Sequence, residues 1–297
     1  MTNQQERHLD KHGFAENWVP PFSNDSDLLR ARIDFFQNTN KKSISYITTE
    51  YSEFIERFEK SLLEHKYINV TGLELFGQKD VITGCQHFLD QMILTHGLDN
   101  LQVFKGGYPY YNKLKPNLEH VELENLVAGK PLILEFPFSR TGDKHPQYDE
   151  IIKKANELGI DVYLDCAWLP VGWDLDLDLS EKCIKGVAMS LSKCFGLHWS
   201  RIGVRWLKHS TNDTIAIENK YRMVSYPNVM IGKYYLDRFE MDHLITKYKE
   251  SYLELCRNHD LVPGKTIMNA YSKQKGHSVG VANLILNKIY KTNNVSE

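Results

Sequence analysis

The chain lacks any apolar run near the ~18 residues a membrane span requires, and its polar start carries no apolar segment of the kind that directs secretion. No membrane partner is therefore expected. It also lacks an excess of charge of either sign: 36 Lys and Arg stand against 38 Asp and Glu, for a formal charge of −2. That balance gives no basis for binding nucleic acid or an anionic surface. There is no C-x-x-C pair, and the five cysteines make an odd count. A disulfide framework and a zinc site are both disfavoured, and reduced thiols in a cytoplasmic protein are expected. No internal repeat and no low-complexity segment is found. Finally, the last 40 residues contain no arginine, Arg257 being the last.

What is present is a large, ordinary globular composition. The 297 residues are 42% apolar, enough for one large α/β domain with a smaller one beside it. Residues 1–28 read as an extended arm. Helical patterns cover 28–38 and 51–65, the second with Phe54, Phe58, Leu62 and Leu63 on one face. Residues 67–76 read as a turn-rich link. From Val81 onward, short apolar runs alternate with helical patterns. Strands are expected at 81–82, 101–104, 132–136, 160–164, 186–191 and 202–207, with helices ending at Gly97 and Gly159. This alternation predicts a mostly parallel central sheet covered by helices on both faces. Beyond Leu207 the chain reads as helical at 213–224 and 228–259, separated by Tyr226-Pro227-Asn228. A turn is expected at Leu261-Val-Pro263-Gly264 and an amphipathic stretch at 279–289. The expected divisions are 1–40, an arm and helix; 41–235, a large domain; and 236–297, an abridged helical small domain.

Open α/β sheets bind ligands beyond the carboxyl ends of their strands. Tyr108, Ser139, Asp165, Ser190 and Lys193 each follow a separate apolar run, so all five should gather at that edge. An amine in apolar surroundings (Lys193, near Phe195, Leu197 and Trp199), an acid (Asp165) and a cation eight residues past the lysine (Arg201) suggest one chemistry. The amine would form a Schiff base with the aldehyde of pyridoxal phosphate. The acid would hold the pyridine nitrogen, and Arg201 with Ser190 the phosphate.

These segments resemble the fold-type I pyridoxal-phosphate enzymes of the aspartate-aminotransferase class. Ser190-Leu-Ser-Lys193 followed by Arg201-Ile-Gly203 is similar to that family's lysine motif, and Asp165-Cys-Ala-Trp168 to its pyridine-nitrogen motif. Thr83-Gly84-Cys85-Gln86 resembles the helix start beneath the phosphate, and Tyr108-Pro-Tyr-Tyr111 the segment whose first ring stacks on the cofactor. Tyr67-Ile-Asn-Val-Thr-Gly72 resembles a segment whose tyrosine reaches the phosphate of the other subunit. The resemblance implies the large-domain fold of these enzymes, a homodimer with shared sites, and amino transfer between an amine or amino acid and a keto acid. Other pyridoxal-phosphate reactions (lyase, decarboxylase or oxidase) and a non-catalytic cofactor-binding regulator are the alternatives. Three departures stand out. Ser139 occupies the place of the family's ring-oxygen asparagine, Trp168 that of a tyrosine, and no C-terminal arginine is present to grip a substrate carboxylate. Arg140 and Arg222 are the available substitutes.

Overall fold

A computed structural model describes residues 22, 24–39 and 50–293. The expected N-terminal arm lies largely outside the described residues. The helices are α1 (Ser26–Thr39), α2 (Glu50–Leu63), α3 (Cys85–His96), α4 (Tyr110–Leu114), α5 (Tyr148–Leu158), α6 (Leu191–Cys194), α7 (Thr214–Lys220), α8 (Tyr226–Leu236), α9 (His243–Asn258) and α10 (Ala282–Asn293). The strands are β1 (Ile68–Thr71), β2 (Gln78–Ile82), β3 (Gln102–Val103), β4 (Leu132–Glu135), β5 (Val162–Asp165), β6 (Leu175–Asp178), β7 (Ile184–Ser190), β8 (Gly203–Leu207), β9 (Leu261–Pro263), β10 (Asn269–Ser272) and β11 (His277–Gly280).

The central sheet has six strands in the order β2-β8-β7-β5-β4-β3. β3, β4, β5 and β7 pair in parallel, whereas β8 runs antiparallel to both β7 and β2. Only β8 is reversed, so the expected mostly parallel sheet is present. Both of its faces are apolar because successive strand residues point to opposite sides. Ile82, Ile133, Ala188 and Leu207 pack with Phe88, Leu89 and Met92 of α3. Val81, Leu132, Leu134, Leu164, Val187 and Met189 belong to the larger core that includes α2 and α5. In α2, Phe54, Phe58 and Leu62 are buried at a spacing of four, as the sequence pattern requires. That larger core runs without a break from Phe22 to Leu286.

Gly203 shows why β8 can lie so close to β7. A Cβ built on it would stand 2.2 Å from the Met189 carbonyl oxygen, so a side chain here would push the strands apart. The pairing of β7 with β8 is what brings Arg201, just before β8, back to the end of β7 and to Lys193.

Three readings of the sequence need correction. The link at 67–76 contains β1, which pairs in parallel with β6. Each of these strands has only four residues, too short a run for alternation to stand out. Tyr226-Pro227-Asn228 does not separate helices but opens α8, since proline is tolerated in a first turn. The C-terminal region is not purely helical: β9, β10 and β11 form an antiparallel sheet, and the expected turn at 261–264 is its edge strand. Pro263 fits there because an edge strand does not need every amide. Among the described residues no helix is long and apolar enough to cross a membrane.

Candidate active site

The carboxyl ends of β5 and β7 and the start of α3 meet at Cys85. Its buried thiol is close enough to the Ser190 hydroxyl and the Asp165 carboxyl for both to act on its protonation. Burial pushes this thiol well up, and the Asp165 charge adds to the effect, so Cys85 stays protonated. Asp165 is buried, and one oxygen accepts the Ala167 N–H at 3.0 Å. Burial, and then the neighbouring Glu135, raise its carboxyl to about 7. Lys193 lies in the one-turn helix α6 directly after β7. Burial, and then the Arg201 charge, bring its amine down to about 8, while Asp165 draws it back up. Asp165 and Lys193 thus lie close enough to act on each other's protonation.

Arg201 completes the group. It is exposed, and its Nε donates to the Thr83 carbonyl at 3.0 Å. The rest of its guanidinium lies against Gly84. A Cβ built on that glycine would be 3.0 Å from Nη2, and its φ of 85° is one that other residues rarely adopt. Gly84 caps α3, whose first-turn amides and positive dipole end face the same region. A guanidinium over a side-chain-free turn at a helix start is a cradle for a phosphate.

Tyr108 sits 40% exposed at the rim, stacked on Tyr110 with ring centroids 5.9 Å apart. Burial raises its hydroxyl, followed by the Asp165 charge, with Arg201 opposing, which places the ring within range of both. Ser139 is near but occupied: its amide donates to Glu135 at 2.9 Å, and its carbonyl accepts the Asn269 side-chain N–H at 3.1 Å. The structure therefore brings together Lys193, Asp165, Ser190, Cys85, Gly84, Arg201 and Tyr108, with Ser139 at their border.

Two sequence candidates stand apart. Trp168 is half-buried against the main core and joins none of the contacts above. Tyr67 packs instead on α9, where its hydroxyl accepts from Thr246 at 3.4 Å and Lys249 lies over its ring. Of the two spare arginines, Arg140 lies against Gly106, two residues before Tyr108. The Arg222 carbonyl accepts from Tyr51, and none of its contacts is with the Lys193 group. A groove of about 630 Å³ elsewhere, lined by Asn69, Tyr148, Lys153 and Asp176, contains none of the site residues.

Sequence reasoning missed Glu135. It ends β4 beside Asp165 and is buried, yet a glutamate near the end of an apolar run reads as a solvated strand end. Only the register of β4 against β5 shows that it stands next to Asp165.

No family model and no curated protein matches the chain. Solved structures do. It is similar to a PLP-bound C–S lyase from Staphylococcus hominis, with a TM-score of 0.66 and 11% identity over 97% of this chain and 92% of that one. It is similar to a tyrosine aminotransferase from Leishmania infantum, with a TM-score of 0.59 and 11% identity over 91% of this chain and 86% of that one. An alanine aminotransferase from Pyrococcus furiosus gives a TM-score of 0.58 and 15% identity over 86% and 73% of the two chains. At such identities the likeness speaks for the fold. With its central sheet and site geometry, the chain has the fold of the pyridoxal-phosphate-dependent aminotransferases and C–S lyases.

Proposed function

We propose that this protein is a pyridoxal-phosphate-dependent aminotransferase, moving an amino group between an amino acid or amine and a keto acid. One observation carries the reading: Lys193, with its amine lowered to about 8, lies within electrostatic reach of Asp165, and Arg201 lies over the side-chain-free turn at Gly84. These residues fit the cofactor part by part. The Gly84 turn, the start of α3 and Arg201 would hold the phosphate, with the Ser190 hydroxyl behind them. Asp165 would face the ring nitrogen, Tyr108 the ring's flat side, and Ser139 the ring oxygen. The bound cofactor supplies an aldehyde that takes up an amino group and a ring that withdraws electrons from the neighbouring carbon.

The chain's own residues do the rest. Lys193 keeps a usable unprotonated fraction near neutrality, so it can attach to the aldehyde and, once displaced, move a proton at the substrate carbon. Asp165 offers a carboxylate that a cationic ring nitrogen would draw back into ionised form, since an opposite charge favours it. Arg140, exposed beside the Tyr108 loop, is the cation placed to meet a substrate carboxylate. The contacts of Tyr67 are with Thr246, Lys249 and His65 rather than with the Lys193 group, in keeping with a homodimer in which it would serve the partner's site. Five buried, unpaired cysteines suit the reducing cytoplasm.

A second reading keeps the cofactor and changes the outcome to elimination. It is favoured by the likeness to the Staphylococcus hominis C–S lyase, which spans nearly all of both chains. The two are separated by products. Purified protein loaded with pyridoxal phosphate is mixed with single amino acids, and the cofactor spectrum and released acids are followed. Amino transfer should yield one keto acid per cofactor and stop until a second keto acid is added. Continuous release of ammonia and a keto acid without an acceptor would sink the aminotransferase reading and establish elimination. Absence of any reaction across the panel would sink both.

A further inference from the structure

The chemistry above leaves one buried acid next to Asp165 without a task. Glu135 stands beside Asp165 in the parallel pair β4–β5, so both side chains leave the carboxyl edge on the same side of the sheet. The two carboxylate oxygens of Glu135 serve different loops. Oε1 accepts the N–H of Tyr108, and Oε2 accepts the N–H of Ser139 at 2.9 Å. Gly107 makes the approach possible, because a Cβ built on it would lie 2.6 Å from Oε1.

The acid is thus held by two backbone amides, and no cation is among its bonded partners. Burying a carboxylate in this way is unfavourable unless its hydrogen bonds offset the lost hydration. For tying down one loop, a neutral side chain would suffice. A carboxylate differs in having two acceptor oxygens, each able to make a short, charge-assisted bond. It can therefore join two loops at one point, and the loops it joins are the two whose residues face the cofactor ring.

We propose that Glu135 is the positioning residue of the cofactor ring: its carboxylate ties the Tyr108 loop to the Ser139 loop and so sets the stacking ring and the ring-oxygen donor as one unit. This rests on the cofactor reading given above. Glu135 does not touch the reacting atoms in this role. It acts through Tyr108 and Ser139, and its charge also lies behind Asp165.

The test uses the full chain with Glu135→Gln and Glu135→Asp. Glutamine keeps the shape but turns an N–H₂ toward one of the two amides. Aspartate is one methylene too short to reach both loops. Three quantities are measured: amide hydrogen exchange at 104–111 and 136–142 without added cofactor, affinity for pyridoxal 5′-phosphate, and the absorption maximum of the bound cofactor. In Glu135→Gln, exchange should rise in one or both loops and stay unchanged in α9. Affinity should fall about 10-fold or more, as expected for losing a hydrogen bond to a charged group. The absorption maximum should shift, which a general loss of stability would not cause. Glu135→Asp should release one loop and keep the other.

Wild-type exchange, affinity and spectrum in Glu135→Gln would overturn the proposal. So would a uniform rise in exchange across the chain with affinity and spectrum unchanged, which would mark a purely structural acid. If the wild-type chain takes up no pyridoxal phosphate, the cofactor reading itself fails. If the wild type binds it and Glu135→Gln binds it equally well, only the role of Glu135 fails.

Discussion

Two arginines four residues apart, Arg201 and Arg205, live in opposite surroundings. Arg205 lies within β8 and has no exposure at all. Its Nε donates to Asp80 at 2.9 Å, and its two terminal nitrogens grip both oxygens of Asp213 at 2.7 and 2.6 Å. Asp213 in turn caps α7 through the Ala216 amide at 2.9 Å. Burial pushes the Asp213 carboxyl up, but the Arg205 bonds outweigh this and hold it below the usual range. Arg201 is exposed, and its recorded side-chain bond is to a single carbonyl. The difference separates two tasks for one side chain. A guanidinium saturated by two carboxylates fastens β8 to β2 and α7 and has nothing left for a ligand. One held by a single oxygen keeps most of its fork for an anion. The same contrast holds among the acids: Asp80 and Asp213 are paired by an arginine, whereas Asp165 and Glu135 sit together without one.

Substitutions can break this comparison. Arg205→Ala should have the largest effect on stability, about 3–5 kcal/mol, because it leaves two acids near the core without a compensating positive charge. Urea unfolding measures it, and a loss below about 1 kcal/mol would show that Arg205 does not fasten these elements.

Asp165→Asn comes next, and its effect depends on pH. The Asp165 carboxyl sits at about 7 in the fold against an ordinary 3.8. The folded chain therefore holds this proton more tightly than the unfolded chain does. The associated stability is fully present below the ordinary value and is lost as pH rises through about 7. Asparagine cannot ionise, so Asp165→Asn should stabilise cofactor-free protein by up to a few kcal/mol at pH 8, and by little at pH 4. Melting curves at the two pH values check this, and an equal shift at both would contradict the assigned ionisation.

Arg201→Ala should be the mildest in stability, changing it by less than about 0.5 kcal/mol as for an ordinary surface position. Its affinity for pyridoxal phosphate should nevertheless fall about 10- to 100-fold. A variant that unfolds like Arg205→Ala would erase the distinction between the two arginines.

Much of this arrangement is legible in the sequence, for physical reasons. The strands β4, β5 and β7 are covered on both faces, so they read as continuous apolar runs, and the polar residue ending each run marks the edge where ligands bind. Asp165, Ser190 and Lys193 are found this way. Glu135 escapes because its meaning lies in a cross-strand register and in two backbone amides, neither of which has a side-chain signature. β6 escapes for a different reason: Leu175 and Leu177 point inward and Asp176 and Asp178 outward, but four alternating residues are too few to stand out. β9 to β11 are short and contain turn-forming residues, so pairing across the C-terminal sheet, rather than local preference, makes them strands.

The central claim is that Lys193 carries the cofactor. Protein loaded with pyridoxal phosphate is treated with borohydride, which makes a lysine–aldehyde linkage permanent, and the modified peptide is located by mass. The account predicts a single label on Lys193, absent from Lys193→Ala together with all turnover. A label on another lysine, or an active Lys193→Ala protein, would contradict it.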